Sequence, residues 1–90
     1  YKVKGMQVVR HNAFDFIEIC TKKFDIIFAD PPYAIEGLDT IPDKIFEKEL
    51  VLPDGYLILE HPGTYNFESH QFFVKEKKYG NVHFSFFEPK

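Results

Sequence analysis

The chain has 90 residues, of which 44% are hydrophobic and 18% aromatic, enough for one small globular domain with a core of its own. Its net charge of −3 has the wrong sign for a protein that binds nucleic acid through charge alone, so contact with a polyanion must come from a local basic patch. One cysteine excludes a disulfide framework, and no signal peptide or apolar run of spanning length is present, so we expect a cytoplasmic protein without a membrane partner.

The first half of the chain alternates between strand-like and helix-like patterns. A mostly apolar run predicts a strand over Met6–His11, and an apolar stripe at helical spacing predicts a helix over Ala13–Lys22. Asn12 stands where that helix needs an N-cap, and Cys20 lies on the apolar stripe as a small buried hydrophobe. The run Phe24–Ala29 is too short for a helix and is rich in β-branched and aromatic side chains, which predicts a buried parallel strand.

The middle of the chain continues this alternation. A second helix is predicted over Ile41–Leu50, with Thr40 able to cap it and Pro42 tolerated in its first turn. The segment Leu52–Gly55, Leu-Pro-Asp-Gly, is a turn signal that should end this helix. The nearly all-apolar run Tyr56–Glu60 then predicts a third strand.

The end of the chain predicts an antiparallel hairpin. Phe72–Tyr79 and Val82–Glu88 are strand-like, and the Gly80-Asn81 pair between them is typical of a two-residue hairpin turn. Strand, helix, strand, helix, strand and hairpin is the order of an α/β protein, so we expect a Rossmann-like, three-layer α/β/α sandwich. In such folds ligands gather at the carboxyl ends of the parallel strands.

The segment Asp30–Tyr33, Asp-Pro-Pro-Tyr, lies at that edge, directly after the buried strand. Its two prolines lack the N–H that a strand ladder needs, so the chain must leave the sheet as a stiff loop that presents a carboxylate and an aromatic ring. Taken alone, the pattern is also compatible with a plain strand-terminating turn. No metal is expected, because the four histidines show no ligand spacing.

Asp-Pro-Pro-Tyr at the end of an apolar strand resembles the catalytic motif of S-adenosylmethionine-dependent methyltransferases that act on exocyclic or amide nitrogens. Three further stretches resemble the bacterial small-subunit ribosomal RNA guanine-N2 methyltransferases: Val8–Ala13, Leu57–His61 and Tyr79–Val82. The resemblance covers nearly the whole chain but only the second half of that family's fold. It implies the sheet order 3-2-1-4-5-7-6, of which this chain supplies strands 3 to 7.

The resemblance implies a catalytic loop made of Asp30, Pro31, Pro32 and Tyr33. By the same resemblance, Asp30 and the Pro31 carbonyl would accept hydrogen bonds from the two N–H groups of the target amine, and Tyr33 would stack on the target base. The expected partner is ribosomal RNA or the small ribosomal subunit.

The resemblance also places Asn12, Ala13 and Asp30 against the cofactor S-adenosylmethionine. Asn12 is equally explained as a helix cap. Glu60 and His61 are positioned to line the substrate, although a strand end is as good an explanation of both.

The chain departs from the family where the cofactor should bind. The Gly-rich loop after strand 1 and the acidic residue after strand 2 have no counterpart, and the start at Tyr1 without Met suggests a piece of a longer protein. Two other functions stay open: a fragment of a DNA adenine N6-methyltransferase, which shares the motif, and an inactive α/β interaction or structural module. Because strands 1 and 2 are missing, we expect the first strand to pair with the strand after its helix, or with a second chain in a homodimer.

Overall fold

The computed structural model describes residues 5–10, 13–32 and 34–89, which form a five-stranded mixed sheet and two α-helices. The elements are β1 (Met6–Val9), α1 (Ala13–Ile19), β2 (Phe24–Ala29), α2 (Ile41–Glu47), β3 (Val51–His61), β4 (Phe73–Tyr79) and β5 (Val82–Phe87), with a 3-10 turn over Leu38–Thr40 before α2. The sheet order is β1-β2-β3-β5-β4; the first three strands are parallel, and β5 and β4 join them antiparallel. The predicted order of elements is therefore confirmed.

Both helices pack on the same face of the sheet, because their buried residues and alternate strand residues form one apolar core. Ile27 and Ala29 of β2, and Leu57 and Leu59 of β3, point into this core and are fully buried. The partial Rossmann-like α/β fold is confirmed. The described residues supply two of the three expected layers, namely the sheet and one layer of helices.

The opposite face of the sheet is apolar and carries no helix from the described part of the chain. Met6 and Val8 are 55% and 45% exposed there. Phe28 and Phe84 are half-buried and contact each other with their ring centroids 6.1 Å apart. A contiguous apolar surface of this kind gains nothing from the hydrophobic effect until another surface covers it.

The first strand pairs with another strand of the same chain. β1 pairs with β2 in parallel, with Met6 opposite Ile26 and Val9 opposite Ala29. The prediction that it pairs with the strand after its helix is confirmed, and the alternative of pairing through a second chain stays a prediction. This pairing makes β2 an interior strand, hydrogen-bonded on both sides.

The predicted end of α1 at Lys22 is wrong by three residues. The helix ends at Ile19, where the ammonium of Lys48 in the neighbouring segment donates to the carbonyls of Ile17 at 2.7 Å and Glu18 at 2.8 Å. A cation at this end satisfies carbonyls that have no partner inside the helix and stabilises the helix dipole. Cys20, just beyond, is partly buried rather than buried.

The start of α2 is as predicted, but its cap is not. Thr40 occupies the N-cap position and Pro42 lies in the first turn, yet the Thr40 hydroxyl donates to the Gly37 carbonyl at 2.6 Å instead of capping the helix. The helix ends at Glu47, before the predicted Leu50, and Glu49 takes a left-handed φ of 54°. A residue in this conformation ends a helix.

The turn predicted over Leu52–Gly55 is wrong, because this segment lies inside β3. Its turn chemistry produces an irregularity in the strand instead: β2 and β3 pair at Phe24 with Val51 and next at Ile26 with Tyr56. The extra residues bulge opposite Asp25. Gly55 passes so close to the Asp25 backbone carbonyl that a Cβ atom would collide with it.

Replacing Gly55 with alanine should therefore destabilise the chain by about 1–3 kcal/mol, because β3 must move away from β2 to admit the methyl group. Urea unfolding monitored by circular dichroism measures this. Gly5→Ala is the matched control, since its Cβ would lie at an ordinary 3.6 Å from the Phe24 ring. Equal midpoints for the two variants would contradict the close approach.

Candidate active site

The candidate residues that the structure describes lie at the carboxyl edge of the parallel strands. Val9 and Ala29 pair across β1 and β2, and Ala29 and Leu59 pair across β2 and β3, so β1 and β2 end level with Leu59, and β3 continues to His61. Neighbouring strands lie about 4.8 Å apart. This edge brings together the following residues: Ala13, Asp30, Pro31, Pro32, Glu60 and His61.

Asp30 is fixed by its backbone to two elements. It follows Ala29 of β2, and its N–H donates to the Val9 carbonyl of β1 at 2.7 Å, which extends the ladder by one residue. The next residue, Pro31, is fully buried, and the Pro32 carbonyl accepts the Ile35 N–H at 3.0 Å in a turn. The Pro32 carbonyl is thus engaged in that turn, and the stiffness of the loop stays a prediction.

Two predicted contacts fall on residues that are not described. Asn12, assigned to the cofactor, and Tyr33, assigned to stacking on the base, lie outside the described residues, and both roles stay predictions. Ala13 begins α1, with its methyl group fully buried and its N–H donating to the Arg10 carbonyl at 3.2 Å. The whole residue is buried, and its contact with the cofactor stays a prediction.

His61 is fully buried at the end of β3, and both ring nitrogens are hydrogen-bonded. Nδ1 lies 2.8 Å from the Pro62 carbonyl, and Nε2 lies 2.7 Å from the Ser85 hydroxyl. Since a carbonyl only accepts, the proton is on Nδ1, and Nε2 of the neutral ring accepts from Ser85. The predicted contact of His61 with substrate stays a prediction. Glu60, half-buried, pairs with Phe84 of β5.

A second layer of polar groups surrounds this ring. Glu76 of β4 places one carboxylate oxygen 3.8 Å from the His61 Nε2 and the other 3.1 Å from the His83 Nδ1. The two histidine rings stack with their centroids 5.8 Å apart. These four residues, His61, Glu76, His83 and Ser85, are called the histidine cluster below.

Sequence reasoning placed His61 at this edge but missed its partners Ser85 and Glu76. They become neighbours only through the antiparallel pairing of β5 with β3 and of β4 with β5. The sequence did contain a signal. His83 and Ser85 lie on the same face of β5 as the buried Phe87, and the residues between them are apolar. Polar side chains on a buried face need partners, and these partners are supplied by other strands.

Burial lowers the pKa of His61 below its ordinary value of 6.5, and this effect exceeds the opposing ones of the Pro62 carbonyl and Glu76. The ring is therefore neutral at pH 7. The buried imidazole has both of its nitrogens engaged within the chain.

The chemistry available at this edge is that of a carboxylate beside backbone carbonyls. Such a set accepts hydrogen bonds from an N–H donor. Among the described residues, no group of three or more His, Cys, Asp or Glu side chains is arranged to hold a metal ion. Neither described helix, each of seven residues, is long and apolar enough to cross a membrane.

Comparison with known proteins gives one family match along nearly the whole sequence. The model of a family described as conserved hypothetical protein 95 matches residues 1–88. A curated relative, the tRNA1(Val) (adenine(37)-N6)-methyltransferase of Mannheimia succiniciproducens, is 44% identical over 34 residues, which is 38% of this chain and 14% of that protein.

Solved structures share the fold. A conserved hypothetical protein from Streptococcus pyogenes has a TM-score of 0.73 and 25% identity, covering 86% of this chain and 50% of its own. A provisionally assigned methylase from Haemophilus influenzae has a TM-score of 0.65 and 19% identity, covering 87% and 52%. A provisionally assigned methyltransferase from Escherichia coli has a TM-score of 0.63 and 17% identity, covering 84% and 44%. The chain thus spans about half the length of these proteins.

The lowered pKa of His61 predicts a pH dependence of stability. Above pH 6.5 the ring is neutral in both the folded and the unfolded chain. As the pH falls below 6.5, the unfolded chain takes up this proton first, so stability falls, by at most about 1.4 kcal/mol per pH unit. Urea unfolding between pH 7 and pH 5 should show a steeper loss for the wild type than for His61→Gln. Parallel curves would show that burial does not hold the ring neutral.

Proposed function

Since the chain belongs to the family described as conserved hypothetical protein 95, we propose that the protein it comes from is an S-adenosylmethionine-dependent N-methyltransferase and that this chain supplies the part that grips the target amine. The observation that carries the proposal is the Asp-Pro-Pro loop. It leaves an interior parallel strand at the edge where α/β folds bind ligands, with Asp30 hydrogen-bonded to the neighbouring strand.

The loop fits the chemistry of an exocyclic amine. The lone pair of such an amine is delocalised into the base, which makes the nitrogen a poor nucleophile. If Asp30 and the Pro31 carbonyl accept its two N–H bonds, the nitrogen is drawn toward tetrahedral geometry and its lone pair becomes available. Positioning and electrostatics then provide most of the catalysis, and no strong base is needed, because the proton becomes acidic only as the new bond forms.

Tyr33 is proposed to stack on the target base. The base must be turned out of its helix or presented in a loop, because an amine inside a paired stem is out of reach of the Asp30 carboxylate. Glu60 and the segment after β3 would form the neighbouring wall of the base site.

The donor S-adenosylmethionine supplies the methyl group when it is bound. Asn12, Ala13 and Asp30 are the proposed contacts, but the chain's five glycines occur singly and form no Gly-x-Gly loop. Such a loop lets the backbone approach a cofactor closely at the start of a helix. The sequence of this chain therefore provides no methionine cradle for the donor.

The proposed substrate is the N2 amine of a guanine in small-subunit ribosomal RNA, in the cytoplasm, and no metal is required. The resemblance of Val8–Ala13, Leu57–His61 and Tyr79–Val82 to enzymes with that activity supports this choice. The relative from Mannheimia succiniciproducens is named for methylating an exocyclic amine in RNA, which favours RNA over the DNA adenine alternative.

In the complete protein, Asp30→Asn should reduce methyl transfer to ribosomal RNA by about 100-fold or more, because the amide also presents a donor to the amine. Transfer of labelled methyl groups to small-subunit RNA, transfer RNA and DNA measures both activity and target choice. Asp39→Asn, an exposed neighbour, is the control. Unchanged turnover in Asp30→Asn would refute its role, and methylation of DNA alone would refute the substrate.

Isothermal titration calorimetry on the 90-residue chain should show little or no binding of S-adenosylmethionine at micromolar concentrations, because the methionine cradle is absent from the sequence. Binding with a Kd near 1 μM, worth about 8 kcal/mol, would show that the chain holds the donor by other residues.

A further inference from the structure

We propose that His61 is a positioning residue, whose buried ring fixes the segment after β3 as the wall beside the amine-binding loop. The inference rests on the proposed function, because it concerns how the site around Asp30 is shaped. It assigns His61 a role different from the direct substrate contact predicted from the sequence.

The two loops leave the sheet side by side. Ala29 and Leu59 are opposite each other in the parallel pairing of β2 and β3. Pro31 and His61 each lie two residues further along, and both are fully buried. Pro31 and His61 are therefore buried side chains at the ends of adjacent strands, and the two loops start next to each other.

The ring ties that interior to the next segment of the chain through one carbonyl group. The Pro62 carbonyl accepts the His61 Nδ1–H at 2.8 Å and the Tyr65 N–H at 3.2 Å. The two donors together fix the direction of the Pro62 carbonyl. They thereby also fix the turn from Pro62 to Tyr65. The Phe67 ring packs edge-on against His61 at 5.0 Å and lies in the core.

The ring is itself held from the other side. Ser85, fully buried in β5, donates to Nε2 at 2.7 Å, which holds the ring in the tautomer that donates to Pro62. The segment passes His83 so closely that a Cβ on Gly63 would lie 2.8 Å from its Nε2. The histidine cluster thus leaves the turn little freedom to shift.

Two substitutions separate the two hydrogen bonds of the ring. His61→Asn places an amide where Nδ1 stands and can still donate to Pro62, whereas His61→Gln reaches the Nε2 position and can still meet Ser85. A merely space-filling role would favour glutamine, because its larger side chain leaves the smaller cavity at this buried position. A positioning role through the Pro62 carbonyl makes asparagine the better replacement.

Nuclear magnetic resonance of the 90-residue chain provides the test. The wild-type ring should be the neutral Nδ1–H tautomer at pH 7, visible in its ring nitrogen shifts. Amide hydrogen exchange over residues 63–67 should be about tenfold faster in His61→Gln, the effect of losing a hydrogen bond worth about 1.4 kcal/mol, and within about threefold of wild type in His61→Asn. An Nε2–H tautomer, or equal exchange in the two variants, would overturn the proposal.

Ser85→Ala covers the case in which the His61 variants do not fold. It keeps the ring and removes only the donor to Nε2, so the proposal expects a mixture of tautomers and faster exchange over residues 63–67. An unchanged tautomer and unchanged exchange would overturn the proposal.

A titration with guanosine separates this inference from the function on which it rests. Guanosine should shift the Asp30 amide in the wild type, with weaker binding in His61→Gln than in His61→Asn. If guanosine shifts nothing in the wild type, the proposed function fails and the exchange data alone decide the role of His61. Equal affinity for all three proteins would refute the positioning role while leaving the function intact.

Discussion

Two prolines directly after a buried interior strand are the constraint on which the site depends. β2 is hydrogen-bonded to β1 on one side and β3 on the other, so its end cannot drift. Asp30 makes the last ladder hydrogen bond, to Val9, and the two prolines that follow cannot extend the ladder. The backbone of Asp30 is therefore held at the sheet edge. A flexible loop would have to lose conformational entropy on binding to reach the same geometry.

The apolar core that the helices cover lies on one face of the sheet. The helices bury one face of the sheet, whereas Met6, Val8 and a row of half-buried aromatic side chains line the other. The solved relatives are about twice as long as the matched region. The sequence of the chain has no Gly-x-Gly loop, so under the function proposed above it would supply groups for the amine and lack most of those for the methyl donor.

The sequence was sufficient for features governed by local periodicity. The run of elements, β2 to the residue, the hairpin at Gly80-Asn81 and the placement of the Asp30 loop were all predictable, because strand alternation and proline chemistry act within a few residues. The ends of the helices were not. Lys48 terminates α1 from about thirty residues away, and the Leu52–Gly55 turn signal became a bulge because Val51 pairs with Phe24. The partners of His61 were hidden for the same reason, since Ser85 and Glu76 reach it only through strand pairing.

His61 is kept neutral by its own surroundings, and the charged groups that act on it are Glu76 and His83. Burial keeps the pKa of His61 low, and the single ring proton is already committed to the Pro62 carbonyl. In the positioning role proposed for it, the ring would order the wall of the site without adding a buried positive charge. A lysine or arginine at this position could satisfy the same carbonyl only by adding that charge, whereas asparagine could satisfy it without one.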